Sequence, residues 1–254
     1  MKSTHLNILR TVLALFALQQ PLLFAQEFQV VSNFPPTTFA DALRSKGVSD
    51  FSEQSLIANL NHSDPQVRIL AAMQLAEDHH NDAASAIESA LSREPDLPAQ
   101  NGLSQALLSL HDEKGVVHLH AMCMDSSLNL MTLISVIDAL SLSRSPAGVC
   151  AEAFFAAMAQ SKQSGEVAMG ASRLAKIYPD ATPDQARRIV TVLRSLLADN
   201  GLESTVHMES SRGLSEIGTR ECAEAIRTAI AREQNPDVRT FLEATLKGME
   251  KKQH

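Results

Sequence analysis

Aromatic residues and strand-like patterns are scarce in this sequence. Its 254 residues include 9 Phe, 1 Tyr and no Trp, although aromatic and β-branched side chains are the residues that sheets prefer. No segment alternates apolar and polar residues for long enough to predict a strand. The 10 Gly and 10 Pro also fall short of the share that collagen-like and low-complexity chains need. An all-α fold is therefore expected.

Catalytic and cofactor-binding motifs are also absent. The sequence contains no Gly-x-Ser-x-Gly elbow, no His-Glu-x-x-His helix, no Gly-x-x-x-x-Gly-Lys loop and no Gly-x-Gly-x-x-Gly turn. A Ser, a His and an acid occur in almost any chain of this size, so without a positioning motif they indicate no catalytic triad. We expect no catalytic residue, no cofactor-binding residue and no cofactor, and the chain is predicted not to be an enzyme.

One segment contains soft metal-ligand residue types. His118 with Met122, and His120 with Met124, are each one helical turn apart, a spacing that suits Cu(I). Residues 118 and 120 lie about 200° apart around a helix, so the two pairs face different ways and cannot form one site. Packing of this segment into the core is the better interpretation, and no metal site is predicted here.

A second polar cluster joins His79 and His80 to Asp78 and Asp82. Adjacent side chains do not face each other on a helix, so the two histidines are poorly placed to share a divalent cation. Clusters of this kind are typical of exposed turns between helices. We interpret this one as a solvated turn without a metal.

The three cysteines, Cys123, Cys150 and Cys222, form no recognisable framework. Their number is odd and their spacing is not paired. Free cysteines are commonly buried as small apolar residues, so we expect three buried thiols and no essential disulfide. One disulfide remains the alternative if the chain is exported.

The first 25 residues have the layout of a secretory signal peptide. Lys2 and Arg10 make the start of the chain basic, and an unbroken apolar run follows over residues 12–18. A bilayer span needs about 20 apolar residues, and Pro21 interrupts the apolar stretch. We expect cleavage near Ala25, with an uncleaved N-terminal anchor as the alternative. The mature chain is predicted to be periplasmic or secreted, with no stable membrane span.

The mature chain is acidic. Without Lys2 and Arg10, 20 of the 22 basic residues remain against 29 acidic residues, which gives a formal charge of −9. Arg187, Arg188 and Arg212 could bind phosphate, but a negative chain with almost no aromatic side chains for base stacking is unsuited to nucleic acid. These arginines are expected to lie on a solvated face, and no nucleic-acid partner is predicted.

Start signals for helices recur along the chain. Four pairs place a side-chain oxygen directly before a proline, the arrangement of an N-cap and the first helical residue: Asp64-Pro65, Ser145-Pro146, Thr182-Pro183 and Asn235-Pro236. Apolar residues three and four apart follow them, as in amphipathic helices. Thirteen helices are predicted, near 38–46, 50–60, 65–78, 83–93, 98–110, 112–124, 127–142, 146–161, 166–177, 183–198, 202–217, 219–233 and 236–250.

From residue 50 these helices fall into six pairs. The second members start near residues 65, 98, 127, 166, 202 and 236, a repeat of about 34 residues. The strongest internal match is between the two ends, Asp64-Pro65-Gln66-Val67-Arg68 and Asn235-Pro236-Asp237-Val238-Arg239. The middle units lack this motif. A periodic array of helix pairs is therefore expected.

These residues resemble HEAT repeats, in which an Asp-Pro turn precedes a second helix that opens with Val-Arg and continues with Ala and Leu. The resemblance covers about residues 50–250 by period, and it implies an α-solenoid in which the turn Asp and the helix Arg bond within or between units. Only Asp64 with Arg68, and Asp237 with Arg239, fit that role. A tetratricopeptide array has a similar period, but its Trp-containing signature is missing.

The predicted organisation is a signal peptide over residues 1–25, a segment with a capping helix over 26–49, a HEAT-like repeat domain over 50–250 and a tail over 251–254. Thr38 and Asp41 would start the capping helix, and Gly47 would end it. The apolar helix 127–142 is expected to be buried in the middle of the array.

The expected function is a non-catalytic scaffold outside the cytoplasm that binds another protein or a peptide on a curved helical surface. Polar residues such as Gln66 and Gln74 are expected on the exposed side of the second helices, where a partner would bind. The alternative is an enzyme of the HEAT-like lyase type with an unrecognised site on the concave face, because a fold alone does not decide function.

Overall fold

A computed structural model describes residues 38–125 and 127–252, and this part of the chain is helical without strands. It contains thirteen α-helices and three short 3-10 helices. The α-helices are α1 (Phe39–Ser45), α2 (Glu53–Asn59), α3 (Pro65–Glu77), α4 (Ala84–Leu91), α5 (Leu97–Ser109), α6 (Lys114–Met122), α7 (Leu130–Leu142), α8 (Ala151–Gln160), α9 (Ser164–Ile177), α10 (Pro183–Ala198), α11 (Ser204–Ile217), α12 (Arg220–Arg232) and α13 (Pro236–Lys252). The all-α prediction is confirmed, and each predicted helix has its counterpart.

Three of the four predicted proline starts are correct. The side chains of Asp64, Thr182 and Asn235 accept backbone N–H groups in the first turns of α3, α10 and α13. The start at Ser145 is wrong. There the chain forms a 3-10 helix, Gly148–Cys150, before α8, and the N–H of Ala147 donates instead to the Asp180 side chain at 3.0 Å. The contact with Asp180, from a turn 33 residues away, thus replaces the cap that Ser145 was expected to provide.

The described helices divide into two compact units, α1–α5 up to residue 110 and α6–α13 from residue 111. In the first unit α3 packs between α1 and α5, while α2 packs on α3 and α4 packs on α5. Its core is built from small and branched apolar side chains on all five helices. Thr38 caps α1 and Gly47 follows it with a φ of 86°, as the sequence predicts for the capping helix.

The second unit repeats the same layering with more helices. One layer is formed by α7, α9, α11 and α13, each packed on the next, and α8, α10 and α12 pack on α9, α11 and α13. Helix α6 packs on α7. Where α9 and α11 pack together, a Cβ on Gly213 would lie 2.9 Å from the carbonyl oxygen of Ala171, so only glycine fits there.

The predicted period is also present. The second helices, α3, α5, α7, α9, α11 and α13, start at residues 65, 97, 130, 164, 204 and 236. Helix α7 carries seven buried residues in thirteen, including Leu133, which agrees with the burial expected from its sequence. The assignment of residues 50–250 to one repeat domain stays a prediction, and the signal peptide lies outside the described residues.

The expected exposure of two glutamines is wrong. Gln74 of α3 is only 6% exposed, and Gln66 is half-buried. Both side-chain oxygens are buried without a hydrogen-bond partner. Polarity predicts exposure only for a helix with a free face, whereas α3 packs against α1, α2 and α5. Neither residue therefore offers the partner-binding surface that the sequence suggested.

Within the described residues, no helix is both long enough and apolar enough to cross a membrane.

Candidate functional site

The histidines of α6 form no shared site. His120 lies with its Nε2 2.8 Å from the carbonyl oxygen of Pro146, and burial lowers the pKa of His118. Met124 is 74% exposed. In the described residues no three His, Cys, Asp or Glu side chains are grouped closely enough to hold a metal ion.

The prediction of three free thiols is wrong. Cys123, which follows α6, and Cys150, at the end of the 3-10 helix before α8, form a disulfide, and both are buried. The chain between them contains α7, whose return brings the two cysteines together although they are 27 residues apart. Linear spacing gives no sign of this contact. Cys222 is free and buried, as expected, and burial raises the pKa of its thiol.

The arginines considered for phosphate binding each have a carboxylate partner. Arg187 pairs with Asp184 and Arg212 with Glu209. Arg188 donates to Glu152 at 2.9 Å and also lies 4.2 Å from the ring centre of Phe155. These pairs are partly or largely exposed to solvent, in keeping with the solvated face that the sequence predicts.

A groove of about 530 Å³ lies between α10 and α12 of the second unit. Small and apolar side chains line part of it: Leu197, Ala198, Ala225 and Ala229. Charged side chains line the rest: Arg194, Glu221, Glu224, Arg232 and Glu233. The volume is in the range of small-molecule and peptide pockets, and the small side chains let a bound backbone come close to the helices. The groove is therefore the candidate binding site.

Most charges in the groove are already compensated. Arg194 of α10 donates to Glu221 of α12 at 2.5 Å, which links the two walls. Glu224 pairs with Arg227 on the outside of α12 at 3.2 Å. These side chains are between 45% and 71% exposed, and exposed ion pairs contribute only about 0–1 kcal/mol. A ligand with its own charges can therefore exchange partners with them at little cost in free energy.

The third carboxylate, Glu233, has a different environment because its side chain is only 15% exposed. Its Oε1 accepts the backbone N–H of Asn235 at 2.8 Å, and its Oε2 lies 3.4 Å from Nδ1 of the buried His207 on α11. The other ring nitrogen of His207, Nε2, lies 2.9 Å from the carbonyl oxygen of Asp199. Both nitrogens thus have partners within the protein, which leaves His207 unsuited to act as a general base on a ligand.

The sequence contains a signal for His207 that the Val-Arg motif does not include. Helix α3 opens Pro65-Gln66-Val67-Arg68, α13 opens Pro236-Asp237-Val238-Arg239, and α11 opens Ser204-Thr205-Val206-His207. In each helix a buried valine at the third position precedes a basic residue at the fourth. A motif of Val followed by any basic residue includes α11.

The two arginines of this motif do not bond the motif acids. Arg68 donates to the carbonyl oxygen of His62 at 2.7 Å, and Arg239 donates to that of Glu233 at 3.1 Å, each six residues earlier. Asp64 instead pairs with Lys46 at 3.0 Å. Each arginine therefore hydrogen-bonds the main chain of the turn that precedes its own helix. The expected Asp64–Arg68 pair is not formed.

No protein-family model matches this chain, and a comparison with curated proteins finds no relative.

Proposed function

We propose that the chain is a non-catalytic scaffold that holds a segment of another protein in the groove between α10 and α12. The observation that supports the proposal is the groove itself, which joins small side chains to exposed, weakly held ion pairs. A peptide segment offers backbone that fits against alanines and side chains that exchange with the Arg194–Glu221 pair. Helical-repeat proteins bind partners on the extended surfaces that their stacked helix pairs create.

The place of action in this proposal is outside the cytoplasm. The disulfide between Cys123 and Cys150 supports it, because such bonds persist in oxidising compartments and are rare in the cytosol of mesophiles. The predicted removal of residues 1–25 belongs to the same proposal. N-terminal sequencing of protein from an extracytoplasmic fraction tests it: a chain that starts near Gln26 agrees with it, and an intact Met1 in the cytosol contradicts it.

We also propose that the helix pairs form a HEAT-like array. The repeat of about 34 residues supports it, as do the shared openings of α3, α11 and α13. In such arrays each unit contacts mainly its neighbours, which leaves a long face for a partner.

A pull-down with the mature chain tests the binding site. Ala229 lines the groove, so Ala229→Arg places a long side chain in it. Ala231 is exposed on the same helix and does not line the groove, so Ala231→Arg is the matched control. We expect one extracytoplasmic protein to be captured by the parent chain and by Ala231→Arg but not by Ala229→Arg.

Equal capture by both variants would place the binding surface elsewhere. If the purified chain binds no protein and instead turns over a small molecule, and if Ala229→Arg abolishes that turnover, the scaffold proposal is wrong. The enzyme alternative would then take its place.

A further inference from the structure

The groove between α10 and α12 has a different chemistry at each of its ends. The residues of α12 that line it recur three and four positions apart, so they form one stripe along the helix. These residues are Glu221, Glu224, Ala225, Thr228, Ala229, Arg232 and Glu233. Two acids thus lie at the start of the stripe, small and polar side chains follow them, and Arg232 is the last residue of the helix.

The start of the stripe has more carboxylates than cations. Arg194 donates to Glu221, and Arg227 donates both to Glu224 at 3.2 Å and to Glu250 at 2.8 Å. One guanidinium therefore serves two carboxylates. A carboxylate can accept several hydrogen bonds, so Glu224 has room for a further positive group from a ligand.

Arg232 provides the opposite charge at the other end. Its side chain is exposed, and within the described residues it forms no ion pair and no hydrogen bond. The neighbouring Glu233 is held by the protein, because its Oε1 accepts the backbone N–H of Asn235 and its side chain is only 15% exposed. A guanidinium in this position can bind a carboxylate of a ligand through two N–H groups.

The α10 side of the groove offers uncharged polar groups. Ser195 and Asn200 line it, and in the part of the chain that the structure describes their exposed side chains form no hydrogen bond. Thr191 and Thr228 differ, because each hydroxyl donates to a carbonyl oxygen four residues earlier in its own helix. Since an amide side chain both donates and accepts, Asn200 matches the N–H and C=O groups of a peptide backbone.

The distance between the two ends sets the length of a matching segment. Glu224 and Arg232 are eight residues apart in α12, which corresponds to about 12 Å along the helix axis. An extended chain rises by about 3.3 Å per residue, so about four residues cover that distance.

We infer that the groove binds an extended segment that carries a basic side chain and a carboxylate about four residues apart, the first at Glu224 and the second at Arg232. The inference rests on the proposed function and adds the chemistry of the bound segment. Ala225 and Ala229 lie between the two charges and leave space for the backbone of the segment. A segment with its two charges exchanged brings like charges together at both ends, so the groove discriminates between the two orders.

Selection from a phage-displayed library of short random peptides tests the inference. With the purified chain as bait, we expect the retained peptides to share a Lys or Arg and an Asp or Glu about four positions apart. The order of the two charges along the peptide should be constant. Replacing either charged residue of a retained peptide with Gln should weaken its binding about fivefold, the effect of one exposed ion pair.

Exchanging the charges of the groove should reverse the selected order. In a chain with Glu224→Arg and Arg232→Glu the two ends change places, so retained peptides should carry their charges in the opposite order. Arg220→Glu is the matched control, because Arg220 is exposed on the same helix and does not line the groove. This control should retain the same peptides as the parent chain. An order that stays unchanged in the exchanged chain would overturn the inference.

Ala229→Arg separates this inference from the proposed function. Peptides that bind the parent chain but not Ala229→Arg, and that carry no such pair of charges, would overturn the inference and leave the groove as the binding site. Peptides that bind Ala229→Arg as well as they bind the parent chain would overturn both. A library from which the parent chain retains no peptide would also overturn the inference.

Discussion

The Arg68–Glu94 pair and the His207–Glu233 pair have the same position in their helix pairs and the same separation of 26 residues, but one contains a guanidinium and the other an imidazole. In each pair the carboxylate accepts the backbone N–H two residues later. Position and separation are set by the helix pair, since each acid lies two residues before the cap of the next second helix. The residue type at the cation position sets the contact: Arg68 donates to the two oxygens of Glu94 at 2.6 and 2.5 Å, whereas Nδ1 of His207 lies 3.4 Å from one oxygen of Glu233. The comparison shows that a repeated backbone arrangement can keep its geometry while its chemistry changes from one unit to the other.

The largest expected effect tests whether the second unit depends on its own core. Leu133 of α7 is fully buried, so Leu133→Asp places a charge among apolar side chains at a cost of several kcal/mol out of a typical total of about 5–15. We expect the second unit to unfold, with loss of helical circular dichroism. Leu142→Asp, at an 87% exposed position of the same helix, should leave the signal unchanged. A Leu133→Asp chain as stable as the parent would contradict this packing.

Loss of the disulfide should have the next largest effect on stability. Both of its cysteines lie in the second unit. Replacing both Cys123 and Cys150 by alanine opens a loop of 27 residues, which should lower the free energy of unfolding by about 3–4 kcal/mol. Urea unfolding measures the loss. Thiol labelling of the unfolded, unreduced parent chain should count one thiol, that of Cys222. A count of three would mean that the disulfide does not form.

A smaller loss of stability is expected when a buried ion pair is broken, and an even smaller one when an exposed ion pair is broken. The Glu94 side chain is 2% exposed and that of Arg68 is 14% exposed, so Glu94→Gln leaves a largely buried guanidinium without its charge partner. We expect a loss of about 3 kcal/mol in the free energy of unfolding. Glu152→Gln breaks an exposed pair with Arg188 and should cost less than about 1 kcal/mol. Equal losses in urea unfolding would mean that burial does not set the strength of these bridges.

The all-helical fold and its period were predictable because they depend on local signals. Asp64 and Thr182 cap helices through their own side chains, and apolar spacing shows where each helix is buried. The bridges and the disulfide join residues 26 or 27 positions apart, so they depend on how helices pack rather than on any short motif.

The errors have the same origin. The polarity of Gln74 predicts that it faces solvent, but α3 packs against α1, α2 and α5, and Gln74 is only 6% exposed. The groove was not predicted because its side chains come from α10 and α12, and none of them is unusual in its own sequence context. His207 was not predicted because the Val-Arg motif requires arginine, although Val206 marks the position.

The smallest expected effect concerns the partner of Asp64. Burial alone would raise the pKa of this carboxyl, but hydrogen bonds from Lys46 and the Gln66 N–H lower it below the ordinary value of 3.8. A lowered pKa in the folded state contributes stability above that value, and the contribution is lost as pH falls through the folded-state pKa. Asp64→Asn keeps a capping oxygen, so we expect a loss below about 1 kcal/mol at pH 7.

The loss in Asp64→Asn should shrink as the pH is lowered from about 5 toward 2. Urea unfolding across that range measures it. A loss that grows in acid would contradict the assigned role of the Lys46 pair.

Removing the two carboxylates in turn tests the equivalence of the two positions most directly. Amide hydrogen exchange, corrected for intrinsic rates, reports the stability of α3–α5 and of α11–α13 separately. Because Glu94 contacts Arg68 and Glu233 contacts His207, we expect Glu94→Gln to lower the protection of α3–α5 and Glu233→Gln to lower that of α11–α13. A Glu233→Gln chain whose α11–α13 is as protected as in the parent would contradict the equivalence of the two positions.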